Sequence, residues 1–288
     1  MKKFLICLCL IIFGFGIGFG SSYFYSKQVS KPNKESSEKN VEKENSEDIE
    51  VDSPLVTNLM DIFHVFDTVY SDGGKYWGYF YQKDKYTVDT IDNQVKLLLG
   101  YLKQRYLDFG KNDTNFFDEF VNCKDCNEVY YEISKETLKK QIENIFGKDT
   151  SYQDMSFNGG YNNKVIYDEN TGIYKINRKV TSFFGGFHVP IYYHKIVKAV
   201  KYEDRLEITE KMFFAKGYPY SIYKSTEIPE DGGDYKGLEY VGLSKMDENG
   251  IESLDDTMET YEEQLNSYKY TFKYEKGNYY LNSVELVK

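Results

Sequence analysis

Apolar residues recur every three or four positions along three segments in the first half of the chain, which is the spacing of a buried helical face. The first predicted helix starts after Ser53-Pro54, the second ends near Gly110, and the third runs from Ser134 to Gly147. Proline suits a first turn, serine an N-cap and glycine a helix C-terminus. The apolar positions are Leu55, Leu59, Ile62, Phe63, Phe66, Val88, Ile91, Val95, Leu98, Leu99, Leu102, Leu138, Ile142 and Ile145.

In the second half of the chain the apolar period shortens to two, which is typical of β-strands. VIYDENTGIYKI alternates around a turn at residues 168–172, and KIVKAVKYEDRLEITEKMFFA alternates around residues 203–204. YKYTFKYEKGNYYLNSVELV predicts two further strands joined at residues 275–278. Helices followed by hairpins predict an α+β domain in which the helices pack on one face of an antiparallel sheet.

The last predicted hairpin carries many aromatic side chains, in a chain with 29 tyrosines. They include Tyr268, Tyr270, Phe272, Tyr279 and Tyr280. Tyr268, Tyr270, Phe272 and Tyr274 share one face of a strand because side chains alternate with a period of two. Such a face either binds a glycan or a peptide, or packs into the core.

The N-terminal segment is apolar and uncharged from Phe4 to Gly20, and it follows the Lys2-Lys3 pair. As a helix it would span about 25 Å, close to the roughly 30 Å of a bilayer core. We therefore predict a transmembrane signal-anchor over residues 1–25. The alternative is a signal peptide that is cleaved near Gly20, because Gly18 and Gly20 suit the positions before a cut.

Residues 26–54 are predicted to form a disordered, charged linker. The stretch from Lys27 to Pro54 holds five lysines and eight acidic residues with almost no apolar ones, so it cannot bury enough surface to fold. An extracytoplasmic α+β domain would follow over 55–288, with a helical half at 55–147 and a β-rich half at 148–288. An N-terminal anchor of this kind normally sends the following chain outward.

Charge and motifs limit the possible activities. Most of the net charge of −10 falls on residues 55–288, which argues against nucleic acid as a partner. The sequence has no GxSxG, HExxH, Walker A or GxGxxG motif, and these would mark common hydrolases and nucleotide-binding proteins. We therefore predict neither a catalytic activity nor a cofactor.

Cys123 and Cys126 form the one CxxC pair. Outside the membrane such a pair can form a disulfide, and unpaired thiols are the alternative. Acidic neighbours at 118, 119, 125 and 128 disfavour a reactive thiolate. A zinc site needs four ligands, and the CxxC pair supplies two of them. His188 and His194 could supply the other two only if the fold brings them next to the cysteines.

His188 and His194 lie in FFGGFHVPIYYHK, which predicts a loop or a strand edge and no functional role for them. His64 lies within a helical apolar pattern and is expected at the edge of the core. A rival hypothesis is a cell-envelope hydrolase whose site combines scattered carboxylates with His188 and His194.

The Lys2-Lys3 anchor, the charged linker, the helix ending at 145–147 and the hairpin YDENTGIYKI resemble uncharacterised membrane-anchored exported proteins of low-GC Gram-positive bacteria. The resemblance implies a tethered α+β domain similar to the NTF2-like or cystatin-like sheets, and it supplies no catalytic residue. The predicted function is binding or assembly at the cell surface by a single-pass, non-catalytic domain, with a protein or a glycan as its partner. Cleavage near Gly20 would make it a secreted binder instead.

Overall fold

A computed structural model describes residues 45–68, 78–110, 129–159, 164–177, 191–217, 219–224, 239–247 and 250–287. The helices are α1 (Pro54–Thr68), α2 (Asn93–Phe109), α3 (Lys135–Phe146) and α4 (Leu254–Tyr261), and short 3-10 turns lie at Tyr79–Tyr81, Val88–Thr90 and Glu262–Gln264. Within these ranges no helix combines the length and the apolar character needed to cross a bilayer. The predicted anchor at residues 1–25 lies outside the described residues.

The strands are β1 (Ser46–Asp48), β2 (Lys85–Thr87), β3 (Val129–Ser134), β4 (Phe157–Asn158), β5 (Lys164–Asp168), β6 (Ile173–Asn177), β7 (Ile191–Tyr202), β8 (Arg205–Lys216), β9 (Ser221–Tyr223), β10 (Tyr240–Leu243), β11 (Lys245–Met246), β12 (Glu252–Ser253), β13 (Ser267–Glu275) and β14 (Asn278–Val287). The main antiparallel sheet has the order β1-β7-β8-β13-β14-β2, and β9 and β10 extend it from one end of β8. A second antiparallel sheet has the order β3-β6-β5-β4, and β11 pairs with β12. The predicted α+β class is confirmed.

The three hairpins predicted from the alternating pattern are present as β5-β6, β7-β8 and β13-β14. The last of them turns tightly at Lys276 and Gly277, whose φ angles are 51° and 88°. Two successive positive φ angles are the geometry of a two-residue hairpin turn, which glycine adopts readily. The turn residues therefore set the register of the C-terminal hairpin.

The ends of α3 follow the signals in the sequence. The Ser134 hydroxyl accepts a hydrogen bond from the backbone N–H of Thr137 at 3.1 Å, and Gly147 ends the helix with φ 90°. The start of α2 differs from the prediction, because Val88–Thr90 forms a separate 3-10 turn. The helix proper begins after Asp92, whose carboxylate accepts a hydrogen bond from the N–H of Gln94.

Three strands occur in parts of the chain that were predicted to be linker or helical: β1, β2, which pairs with β14, and β3. Ser46–Asp48 lies within the predicted linker and pairs with β7, so the compact unit begins at Asn45. Its side chains are exposed, and edge pairing through backbone groups alone leaves no apolar signal in the sequence. In the predicted helical half, β3 pairs with β6 and directly precedes α3.

Most of the aromatic face of β13 lies in the core, and Tyr274 near the end of the strand is exposed. Tyr268, Tyr270 and Phe272 are almost completely buried, and Phe63 of α1 packs against Tyr270 and Phe272 with ring centroids 5.4 and 6.2 Å away. The sequence left open whether these aromatic side chains bind a ligand or pack into the core. These three residues pack into the core and do not form an exposed ligand-binding face.

Candidate functional site

A cluster of two histidines and a glutamate lies between α1 and the main sheet. His64 comes from the third turn of α1, His194 from β7 and Glu210 from β8. Glu210 pairs with Ile196 across the two strands, so His194, two residues along, lies diagonally next to it on the same face. The Tyr79–Tyr81 turn places Tyr81 against Glu210 and His194. We refer to His64, His194 and Glu210 as the His-His-Glu cluster.

The three side chains of the His-His-Glu cluster converge on one carboxylate. The Nε2 atom of His64 lies 2.8 Å from Oε2 of Glu210, and the Nδ1 atom of His194 lies 3.8 Å from the same oxygen. The two imidazole rings stack at 4.6 Å between centroids, with 14° between their planes. A ligand atom from each residue lies within 4.8 Å of the others.

Tyr81 holds the second oxygen of the carboxylate. Its hydroxyl donates to Oε1 of Glu210 at 3.0 Å, and it also lies 3.2 Å from Nδ1 of His194 and 3.2 Å from the hydroxyl of Tyr270. Both oxygens of Glu210 are therefore engaged by the protein. This is what allows a carboxylate to remain in the interior, where an unpaired charge would be strongly unfavourable.

Burial and hydrogen bonding set the charge of the cluster. The side chain of Glu210 is fully buried, and burial raises the pKa of its carboxyl, but hydrogen bonds from His64 and Tyr81 and the nearby histidines hold that pKa below its ordinary value. Burial lowers the pKa of His194 to about 4, against the opposing effect of the Glu210 carboxylate. At neutral pH the site thus combines a carboxylate with a neutral imidazole, which can offer a lone pair.

The side chains are not equally accessible. The side chain of His64 is 29% exposed, whereas those of His194 and Glu210 are 8% and 0% exposed. A small species from solvent would therefore reach the cluster along the edge of α1. Two imidazoles and one carboxylate are the ligand types that Zn²⁺ and related divalent ions accept.

The structure brings together only some of the residues that the sequence singled out. His194 was predicted to lie in a loop or at a strand edge without a role. It lies in β7, in a stretch where β8 is the one described partner strand, and its side chain is 8% exposed next to Glu210. His64 lies at the edge of the core, as its helical pattern predicts. Cys123, Cys126 and His188 lie outside the described residues, so their predicted disulfide and roles stay predictions.

Sequence reasoning missed Glu210 and Tyr81. A signal for Glu210 existed, because Leu206, Ile208 and Met212 occupy the same face of β8 and are all buried. A charged residue in the middle of an apolar alternation indicates a buried carboxylate that needs partners. Tyr81 left no comparable signal, since tyrosine is abundant throughout the chain.

Comparison of the chain with protein-family models, with curated proteins and with solved structures finds no match.

Proposed function

We propose that the protein is a single-pass, membrane-tethered bacterial domain that acts outside the cytoplasmic membrane by binding a protein partner, without catalysis. The apolar segment from Phe4 to Gly20 and the charged segment that follows support the tether. The α+β architecture, with a long helix against an antiparallel sheet, is compatible with an NTF2-like or cystatin-like domain. The observation that carries the binding function is an exposed apolar surface at one end of the sheet.

This surface, the β10–β12 patch, consists of Tyr240, Leu243, Met246 and Ile251. Their exposed fractions are 55%, 47%, 42% and 64%, which are high values for large apolar side chains. The four positions lie close together in the sequence, in β10, in β11 and directly before β12. Clustered apolar exposure of this kind marks interaction surfaces more often than single exposed residues do. Among the described strands β10 pairs only with β9, and an unpaired strand edge is where a partner can add a strand.

A protein is favoured over a glycan as the partner. Aromatic rings that stack on sugars have to be accessible, and Tyr268, Tyr270 and Phe272 of β13 are buried, which leaves Tyr274 as the exposed ring on that face. The β10–β12 patch is mainly aliphatic and is bordered by charged groups, including the Lys224–Glu239 ion pair. An apolar centre with a polar rim is the usual composition of a protein–protein interface.

The topology can be tested in native cells by separating membrane from medium and treating intact protoplasts with protease. We expect the domain in the membrane fraction, and we expect external protease to destroy it. Recovery from the medium with an N-terminus near Ser21 would establish the secreted alternative. Protection of the membrane-bound domain from protease would contradict an extracytoplasmic location.

The binding surface can be tested by crosslinking in the envelope, with two matched variants. Ile251→Asp places a charge in the β10–β12 patch, and Leu107→Asp places one at a similarly exposed position, 66% exposed, at the end of α2. We expect crosslinked partners to be lost in Ile251→Asp and retained in Leu107→Asp. Equal crosslinking in both variants would show that the patch is not the interface.

A second candidate, a cell-envelope hydrolase, is favoured by one observation: His194 lies against the buried carboxylate of Glu210. That hypothesis predicts degradation of purified cell-wall polymer by the full-length protein, with loss of activity in Glu210→Gln. The tethered binder predicts no degradation by either form.

A further inference from the structure

We propose that the His-His-Glu cluster is a binding site for a divalent transition metal ion, with Zn²⁺ as the ion that fits its ligands best. The ligands would be Nε2 of His64, Nδ1 of His194 and Oε2 of Glu210. This inference does not depend on where the protein is located or on what the β10–β12 patch binds.

The spacing of the three ligand atoms agrees with that of a metal centre. Zinc bonds of about 2.0–2.2 Å in a tetrahedral arrangement place neighbouring ligand atoms roughly 3.3 Å apart. The two separations to Oε2 of Glu210 are 2.8 Å from His64 and 3.8 Å from His194, on either side of that value. Shifts of about half an ångström, together with a tilt of the stacked imidazole rings, would therefore complete the coordination. Rotation of the partly exposed His64 side chain can lengthen the shorter separation, and a small movement of the His194 side chain would shorten the longer one.

The ligand set also has an outer shell. Metal-bound carboxylates and histidines are usually oriented by further hydrogen bonds, and removing such a partner weakens metal binding roughly 10–100-fold. Tyr81 supplies this support, since its hydroxyl holds Oε1 of Glu210 at 3.0 Å and leaves Oε2 facing both histidines. Tyr270 in turn lies 3.2 Å from the Tyr81 hydroxyl.

The position of the cluster in the fold suggests what the ion would do. The three ligands come from α1 and from the adjacent strands β7 and β8 of the main sheet, so a bound ion would fix the helix to the sheet. With three protein ligands, a fourth position is left for water or for a further ligand. The partly exposed ring of His64 gives the ion a path from solvent.

The test uses the full-length protein, purified in detergent, stripped with chelator and titrated with ZnCl₂. We expect one high-affinity zinc ion per chain, and a rise in Tm of about 5–10 °C when free zinc exceeds the Kd a hundredfold. Absence of saturable binding, or saturable binding with no change in Tm, would overturn the proposal.

Variants identify the ligands. His64→Gln keeps a hydrogen-bond donor next to Glu210 at a partly exposed position, and we expect it to weaken zinc binding by more than the roughly 10–100-fold expected for Tyr81→Phe. His188→Gln is the matched histidine control and should bind zinc like the wild type. Wild-type affinity in His64→Gln would overturn the assignment.

A spectroscopic measurement can be made on the wild-type protein, so it does not depend on whether a variant folds. X-ray absorption of the zinc-loaded protein should show imidazole nitrogen and carboxylate oxygen at about 2.0–2.2 Å. Sulfur at about 2.3 Å would show that the thiols of Cys123 and Cys126 hold the ion instead, and it would overturn the proposal.

Discussion

The Nε2 atom of His64 and the Oε2 atom of Glu210 lie 2.8 Å apart although 146 residues separate them in the chain. This hydrogen bond joins α1 to the centre of the main sheet through an interface in which Phe63, Phe66 and Ile208 are also buried. A polar connection at such a position determines how the helix sits on the sheet, because the carboxylate has to be matched by its donors.

Removing the buried carboxylate should destabilise the protein strongly. We expect Glu210→Ala to lower the free energy of unfolding by about 3–5 kcal/mol, because the packing and the hydrogen bonds that join His64 and Tyr81 are lost together. Glu207→Ala is the matched control: it lies on the same strand and forms ion pairs with Arg205 and Lys269 near the surface. There the loss should be about 1 kcal/mol or less. Equal losses in urea unfolding would contradict the role assigned to Glu210.

Two tyrosine-to-phenylalanine changes should have different effects. Tyr81→Phe removes a hydrogen bond to Glu210 and should lower the free energy of unfolding by about 1–3 kcal/mol. The hydroxyl of Tyr86 is buried without a hydrogen-bonding partner among the described residues, so Tyr86→Phe should leave stability unchanged or raise it by about 1 kcal/mol. Thermal unfolding of both variants checks this, and marked destabilisation by Tyr86→Phe would show that its hydroxyl has a partner.

Local features of the fold were predictable from sequence. Examples are the hairpin β7-β8, the N-cap of α3 at Ser134 and the end of α3 at Gly147. Each depends on residues close together in the chain, where the apolar period and the capping residues determine the structure. The strand β1 was not predictable, because its pairing with β7 uses backbone groups and no apolar side chains.

The candidate site was predictable only in part. His194 was identified as a residue of interest, but its partner Glu210 comes from the adjacent strand and His64 from a distant helix. Strand register and helix position bring them together, and neither follows from local pattern. The sequence does place a glutamate at an inward position of β8. This indicates that its carboxylate needs a hydrogen-bonding partner, but it does not identify the residue that provides one.

The stability of the sheet should depend on pH through Glu285. Hydrogen bonding to Lys269 lowers the pKa of this carboxyl, and partial burial opposes that effect. A second hydrogen bond, from Lys85, lowers the pKa further. Because the folded pKa lies below the ordinary value of 4.5, the contribution to stability is complete above that pH. It is lost as the pH falls through the folded pKa.

The comparison of wild type with Glu285→Gln isolates this effect. The difference in free energy of unfolding should be constant above about pH 5.5 and should shrink as the pH falls below the ordinary carboxyl value. Chemical unfolding at a series of pH values measures it. A difference that grows towards acid would contradict the depressed pKa of Glu285.

Gly100 allows α2 and α3 to approach closely. A Cβ atom at this position would lie 2.7 Å from Cγ1 of Ile142 and 3.2 Å from Cδ1 of Leu138. We expect Gly100→Ala to lower the free energy of unfolding by about 1–2 kcal/mol, because overpacking outweighs the roughly 1 kcal/mol that alanine gains in helix propensity. In an Ile142→Ala background the obstructing atom is gone, so the same change should raise stability by about 1 kcal/mol. Urea unfolding of the four proteins of this double-mutant cycle measures the reversal, and stabilisation by Gly100→Ala in both backgrounds would show that the helices do not pack so closely.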